Sequence, residues 1–537
     1  MTDFTDDILS RAAARDWVVA PTLWELVERR VSETPDDLMA TDEGGRTMTF
    51  SEFRQRCEAA AAGLHEIYAV GEATSVSWSL PTWLESFVLV GALSRLSARQ
   101  NPIIPIYRER EVGFAVKQTD AELLVVPSVW RGFDYEAMAT SIASGHPSTR
   151  VLVCDKSLPA GDTASLPGPP AIPKKASDAA VRWIFYTSGT TADPKGAQHT
   201  DLSVLASALA MSECLDLEAR DVSGLVFPFT HIGGIGWLMA VLISGGSVVI
   251  TEAFDPSATP ALLARNNVTL AGSGTPFHMA YLAAQRAEPH SALFPDVRAF
   301  PGGGAPKPPQ LHRDLKAEVG GVGIVSGYGL TESPIVCMAS CGDPDDKLAE
   351  TEGRPTPGVT FKVVTIAGEV AGSGTEGEFR VKGPQVMRGY LDPSLDSDAF
   401  DEEGFFKTGD LGVIDADGYI VVTGRLKDVI IRHGENISAK EVEDLVYKHP
   451  SVADVAVIGL PDPRTGERAC AIVSIRPGAD PIDLDALKEF LTDNGLRVQA
   501  VPEQLEIVDS VPRNPAGKIL KHRLREQLTD AGERSTR

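Results

Sequence analysis

The residue types best suited to chemistry gather in one short stretch: Tyr186-Thr187-Ser188-Gly189-Thr190-Thr191-Ala192-Asp193-Pro194-Lys195-Gly196, directly after an apolar run that starts at Val181. Glycine lets the backbone turn its N–H groups inward, hydroxyls add donors, and lysine brings a charge that reaches a phosphate. That chemistry suits a polyphosphate. The stretch is not a GxxxxGK[ST] loop, because Pro194 stands where that pattern needs a glycine before the lysine. Alone, it also reads as a solvated Ser/Thr turn. It is followed by Pro228-Phe229-Thr230-His231-Ile232-Gly233-Gly234, Gly302-Gly303-Gly304-Ala305-Pro306, Gly327-Tyr328-Gly329-Leu330-Thr331-Glu332, Lys407-Thr408-Gly409-Asp410, Gly424-Arg425-Leu426-Lys427-Asp428 and Pro515-Ala516-Gly517-Lys518.

The elements that must position these groups follow from pattern. Residues 22–68 read as amphipathic and helical, with Thr49 and Ser51 as hydroxyls able to cap a second helix. From about 74 to 131, strand-like runs (TSVSWSL, AELLVV) alternate with a helical one (ESFVLVGALSRL), which predicts βα units and a largely parallel sheet. Residues 157–175, rich in Pro, Gly and Ala, read as a surface connection. A strand at Val181 to Tyr186 leads into the polar loop, and βα alternation continues to about 340. From about 352, short strands and Gly turns (GVTFKVVTI, GEFRVKG, DGYIVVTG) predict a small β-rich subdomain. A new α+β unit begins near 428, with helices at SAKEVEDLVYKH, DLDALKEFLTDN and KILKHRLREQL and strands at VADVAVIGL and ACAIVSI. The expected fold is α/β: a large N-terminal domain (1–426) of two α/β sheet layers plus the β-rich subdomain, and a smaller, mobile α+β C-terminal domain (427–537).

Bulk properties agree. A chain of 537 residues needs more than one core. The net charge of -24 speaks against a general nucleic-acid binder, and forces any phosphate ligand to rely on local cations and backbone donors. The six cysteines form no CxxC pair; Cys337 and Cys341 have no histidine near them in sequence, so buried thiols are expected rather than a metal site. MTDFTDDILSRAAARDW lacks the apolar core of a signal peptide, and the apolar stretch Ile235 to Ile243 is too short to span a bilayer. A cytoplasmic enzyme without a transmembrane segment is expected.

In this order and spacing the motifs resemble the adenylate-forming superfamily of acyl-CoA synthetases, nonribosomal-peptide adenylation domains and firefly-type luciferases, over nearly the whole chain from RTMTFSEF to Lys518. Bacterial acyl-CoA synthetases of the fatty-acid or cyclohexanecarboxylate type are the most similar group. The resemblance implies ATP, Mg²⁺ and coenzyme A as cofactors, and a small-molecule carboxylic acid as substrate. Thr187, Ser188, Gly189, Thr190, Thr191 and Lys195 would hold the β- and γ-phosphates, although Ala192 stands where the family usually has glycine. Gly303, Gly304, Ala305 and Pro306 would underlie the adenine, with Tyr328 beside it and Gly329 next to the acyl pocket. Thr331 would contact phosphate and Glu332 would bind magnesium. Asp410 would take the ribose hydroxyls through charge-assisted hydrogen bonds, helped by Arg425. Lys427 falls at the hinge, Lys518 matches the lysine that stabilises charge during adenylation, and Gly434 matches the glycine lining the pantetheine tunnel. His231 would gate the acyl pocket or touch the carboxylate, or else be a buried structural histidine. Arg432, His433, Arg464 and Arg468 are local positives available to the CoA nucleotide.

The implied reaction has two steps. The carboxylate, already a nucleophile at neutral pH, attacks the α-phosphorus; a thiol then attacks the acyl-adenylate. Gly329, Gly272, Gly274 and Gly302–Gly304 suggest a roomy wall, and so a medium or long-chain, alicyclic, aromatic or steroid side-chain acid. An amino acid is disfavoured, because the stretch from Phe229 to Trp237 holds no carboxylate. A stand-alone enzyme loading a carrier protein, and an inactive nucleotide-binding regulator, are the alternatives; a homodimer is left open.

Overall fold

The TSVSWSL run and its neighbours become the centre of a six-stranded sheet. Its order is Lys195–Thr200, Val181–Thr187, Arg99–Pro102, Ser75–Trp78, Leu123–Val126, Arg150–Val153. All pairings are parallel except the first, where Lys195–Thr200 folds back antiparallel on Val181–Thr187. Strands covered by helices on both faces lose their alternation and read as continuous apolar runs; Ser75–Trp78 and Leu123–Val126 are buried throughout. The computed structural model describes residues 15, 17–187, 194–433, 435–514 and 517–535.

A second sheet orders Val222–Leu225, Ser247–Ile250, Leu38–Thr41 and Thr47–Thr49. Leu38–Thr41 pairs parallel with Ser247–Ile250, so the helical reading of 22–68 is corrected between its two helices: two short strands separate Leu23–Glu33 from Phe50–Tyr68. The second helix starts as expected at Thr49, whose hydroxyl accepts from the Glu52 N–H while Glu52 reaches back to the Thr49 N–H. The apolar stretch near Ile235 lies within the buried helix Ile232–Ser244. Among the described residues no helix is long and apolar enough to cross a membrane.

The strand Phe300–Gly302 runs parallel to Ile324–Leu330, which turns back into Ser333–Met338. The β-rich unit is a four-stranded antiparallel sheet of Thr360–Val364, Gly377–Lys382, Phe406–Ile414 and Ile420–Arg425. A short 3-10 turn, Leu426–Asp428, then leads to the smaller C-terminal domain. There the long strands Val452–Asp462 and Gly466–Ile475 pair antiparallel under the helices Ala439–Val446 and Lys521–Ser535. The mixed α/β architecture of a large N-terminal and a smaller C-terminal domain agrees with the sequence reading. The strand Gln504–Ile507, parallel to Gly466–Ile475, is an addition to it.

Candidate functional site

Asp410 is the best-defined group in the site. It stands on Phe406–Ile414 directly across from Arg425 on Ile420–Arg425. Register alone therefore brings the two charges together: Arg425 Nε lies 2.7 Å from Asp410 Oδ1. The Tyr328 hydroxyl donates to the other carboxylate oxygen at 2.8 Å. Asp410 is only 2% exposed, yet it lines a cleft of about 1520 Å³. Each carboxylate oxygen can accept a second bond, so the group keeps capacity for hydroxyl donors from a ligand.

Lys518 enters the same cleft from the C-terminal domain. Its loop is seated by Gly517 in a left-handed conformation, where a Cβ would strike Pro276 at the start of Thr275–Ala287. Burial, then the nearby Arg425 and Lys427, lower the Lys518 ammonium from its ordinary 10.5 to about 8, against Asp410 and Asp428, which raise it. The cleft is thus electropositive on one side, with an ammonium that is destabilised until an anion arrives. Lys427, in the turn between the domains, is lowered first by desolvation and then by Arg425. Asp428 beside it pairs with Arg525 at 3.1 Å, and Ser438 donates to the Thr423 carbonyl at 2.6 Å across the same junction.

Gly304, Ala305, Pro306, Gly327 and Gly329 also line the cleft. The pairing Gly302↔Ser326 sets two backbones side by side, and a Cβ on Gly303 would sit 3.0 Å from the Gly327 carbonyl oxygen. This floor is therefore main chain. The same packing corrects the reading of these glycines as a roomy wall. A Cβ on Gly329 would collide with the Ile335 backbone, and one on Gly302 would come 2.9 Å from Ile324. Gly272 has ordinary neighbours at 3.6 Å, and Gly274 (φ +107) approaches the Gly303 carbonyl. At Gly329 and Gly274 glycine is required by close backbone approach, not left by an empty space, whereas Gly272 has no such constraint.

A smaller cavity of about 30 Å³ brings together Thr187, His231 and Thr331, and shares Pro194, Ile104, Tyr107 and Glu111 with the large cleft. His231 accepts from the Gly233 N–H through Nδ1 at 3.1 Å, so its proton is on Nε2; burial lowers it to about 4. A neutral imidazole donor is thereby fixed at the head of Ile232–Ser244.

Glu332 lies behind this cavity. Tyr390 donates to its Oε1 at 2.8 Å, and the Lys195 ammonium sits 5.1 Å from the Tyr390 ring centroid. Tyr390 therefore links the lysine that ends the polar loop to the carboxylate. His199 holds the neighbouring backbone: its Nε2 donates to the Thr331 carbonyl at 2.8 Å and its Nδ1 faces the Ser203 hydroxyl. Burial lowers it to about 4. Tyr390 and His199 escape the sequence reading, which names Thr408 within its motif but not its role of accepting from the Asp410 N–H. The one signal available was His199, four residues past Lys195 on the same strand. Ser188, Gly189, Thr190, Thr191 and Gly434 lie outside the described residues. Of the four suggested CoA cations, Arg432 is already paired with Glu503 and Arg468 lies near Asp462. Cys337 and Cys341 are free thiols, and the described residues hold no group of three metal-ligating side chains.

Residues 27–391 match the family of AMP-binding enzymes, and residues 441–518 match the AMP-binding enzyme C-terminal domain. The chain belongs to the AMP-binding enzyme family. This AMP-binding enzyme is 30% identical over 516 residues to the medium-chain fatty-acid–CoA ligase of Escherichia coli (strain K12), covering 94% of this chain and 89% of that protein. It is 31% identical over 544 residues to the salicyl-AMP ligase / salicyl-S-ArCP synthetase of Mycobacterium tuberculosis (strain ATCC 25618 / H37Rv), covering 97% and 93%. Its fold is similar to that of ATP-bound MatB from Rhodopseudomonas palustris, with a TM-score of 0.83 and 27% identity over 95% of this chain and 99% of that one. The AMP-binding enzyme is an AMP-forming ligase of the adenylate-forming superfamily.

Proposed function

We propose that the enzyme activates a medium-to-large carboxylic acid as its acyl-adenylate and transfers the acyl group to coenzyme A. The observation that carries this reading is the convergence of Lys518, from the C-terminal domain, with Asp410, Arg425 and Tyr328 on the rim of a glycine-built floor. Asp410 accepts the ribose hydroxyls, Gly303–Pro306 and Tyr328 accommodate the base, and Thr187, Lys195 and Thr331 with the polar loop take the phosphates. His231 offers its Nε2–H to the acid's carboxylate. Lys518 stabilises the charge that builds as that carboxylate attacks the α-phosphorus. No general base is needed, because the nucleophile is already ionised; the protein's task is positioning.

Glu332 fits magnesium as a single carboxylate beside phosphate oxygens, the usual way this ion is held together with a nucleotide. When bound, it would neutralise phosphate charge. For the second step the domain from 427 onward turns about Lys427, withdrawing Lys518 and bringing Gly434 to the thiol's path. The ion pair Asp428–Arg525 and the Ser438–Thr423 bond are two contacts beside the pivot.

An acid larger than acetate is favoured by the apolar side of the cleft, where Ile104, Tyr107, Phe114, Trp130, Phe227 and Phe254 stand. The named substrates of the two relatives, a medium-chain fatty acid and salicylate, point the same way. The salicyl-S-ArCP synthetase relative supports one second reading, a carrier protein as acceptor. The test is incubation with ATP, Mg²⁺, CoA and acids spanning acetate, octanoate, palmitate, benzoate, cyclohexanecarboxylate and a steroid side-chain acid, followed by mass detection of AMP, pyrophosphate and acyl-CoA. Acyl-CoA with equal AMP supports the proposal. Pyrophosphate with retained acyl-adenylate moves the acceptor to a carrier protein, and no product from any acid refutes the assignment of substrate class.

A further inference from the structure

One carboxylate in the cleft has no part in the chemistry above. Glu352 lines it together with Gly304–Pro306 and Gly327–Gly329. It sits just ahead of Gly353, whose left-handed conformation and contact with the Met338–Ala339 backbone admit no side chain. The Glu352 N–H donates to the Ile420 carbonyl and the Ile420 N–H donates to the Gly353 carbonyl, each at 2.8 Å. The Ser326 hydroxyl donates to Glu352 Oε2. The side chain is therefore held from its backbone and from one oxygen. Oε1 takes part in no hydrogen bond among the described residues.

Two lysines lie near it. Lys307 and Lys440 both feel its charge, but each has partners of its own. Lys307 donates to the carbonyls of Leu348 and Thr351; Lys440 is paired with Asp444 at 2.5 Å. A half-buried carboxylate with one unpartnered oxygen, lining the cleft beside a floor of backbone, is suited to accept from the edge of a flat ring lying on that floor. Ser326, the residue paired with Gly302, fixes where along the floor that edge falls.

We infer that Glu352, held by Ser326, reads the exocyclic amine of the nucleobase and makes the enzyme select adenine nucleotides. The amine of adenine donates, whereas guanine presents a carbonyl acceptor at the corresponding position. A carboxylate there bonds the first and repels the second. The inference rests on the proposed ATP site and adds the residue that sets its base specificity. Hydrogen bonds to charged groups correspond to about a 10- to 100-fold preference, and a site built around a donor penalises the analogue that lacks it.

The test is calorimetric binding of ATP, purine riboside 5′-triphosphate (ATP without its amine) and GTP, each with Mg²⁺ and without acid, to the wild type and to Glu352→Ala, Glu352→Gln and Ser326→Ala. The wild type should bind ATP about 10- to 100-fold more tightly than the amine-less analogue. In Glu352→Ala this ratio should fall to near one, through weaker ATP binding with the analogue unchanged, and GTP binding should improve. Glu352→Gln, which keeps the shape and a carbonyl acceptor, and Ser326→Ala should fall between. A wild-type ratio near one, a ratio that survives in Glu352→Ala, or an equal loss of ATP and analogue would overturn the inference, the last by reducing Glu352 to a structural role. Failure of the wild type to bind ATP at all would sink the ATP site itself and this reading with it.

Discussion

Lys518 offers the sharpest test of the proposed chemistry, because its place in the cleft gives its effect both an expected size and a direction with pH. Deleting the ammonium in Lys518→Ala removes a preorganised cation from developing phosphate charge, a loss on the order of 10²- to 10³-fold in adenylation. The depressed ammonium, near 8 rather than 10.5, gives the sign with pH. The charged form is the active one, so kcat/KM for ATP in pyrophosphate exchange should fall about tenfold per pH unit above about 8. Bound triphosphate favours the ammonium, so the limb in kcat should lie at higher pH than the limb in kcat/KM. Lys427→Met removes a like charge and should move the kcat/KM limb upward. Docking the charged lysine also costs stability, on the order of 3 kcal/mol from a shift of this size. That cost is full at neutral pH and vanishes as pH rises from about 8 past 10.5, where the unfolded chain loses its proton too. Lys518→Met should therefore melt a few degrees higher at pH 7 while being inactive in adenylation. Both variants should still convert a supplied acyl-adenylate to acyl-CoA. Exchange within threefold of wild type in Lys518→Ala, or a limb that stays near 10, would refute the assignment.

Asp410→Asn should raise the KM for ATP about 10- to 100-fold, since it weakens a charge-assisted acceptor and leaves Arg425 without its counter-ion; steady-state kinetics at saturating acid reads it. Buried, neutral His199, His231 and His278, lowered to about 4, about 4 and about 3, bind protons less readily folded than unfolded. Stability should fall below pH 6.5 by roughly 1.4 kcal/mol per unit for each histidine until the folded values are reached, and denaturant titrations between pH 7 and 4.5 check it. Gly329→Ala and Gly329→Trp should both destabilise by about 1–3 kcal/mol or more through collision with the Ile335 backbone, rather than narrow an acyl pocket; thermal melts separate the two outcomes.

The parts of this molecule legible in the sequence were those whose signal is local. The YGLTE run, the Asp410 and Arg425 strands and the Lys518 loop each announce themselves within a dozen residues, and the Thr49–Glu52 capping box spans four positions. What escaped depends on distant partners. Strand Leu38–Thr41 exists because Ser247–Ile250 lies beside it; nothing in LMAT says so. Tyr390 matters through Glu332, 58 residues away, and His199 through Thr331, 132 residues away. The glycines were misread for the complementary reason. A missing side chain looks like space in a sequence, whereas in the fold the space at Gly329 and Gly302 is already occupied by neighbouring backbone and side chains.

The backbone floor at Gly302–Gly304 and Gly327 has a consequence for how such an enzyme changes over generations. A surface made of peptide groups has no side chains to exchange, so point substitutions cannot retune it; they can only crowd it. Innovation is pushed onto the walls, where Trp130, Phe227 or Phe254 can be traded for other shapes without disturbing the proposed seat of the nucleotide. A lineage built this way can acquire new acids while its energy source stays the same, and relatives that share under a third of their residues with this chain, yet act on a fatty acid in one case and salicylate in another, are what that division of labour would leave behind.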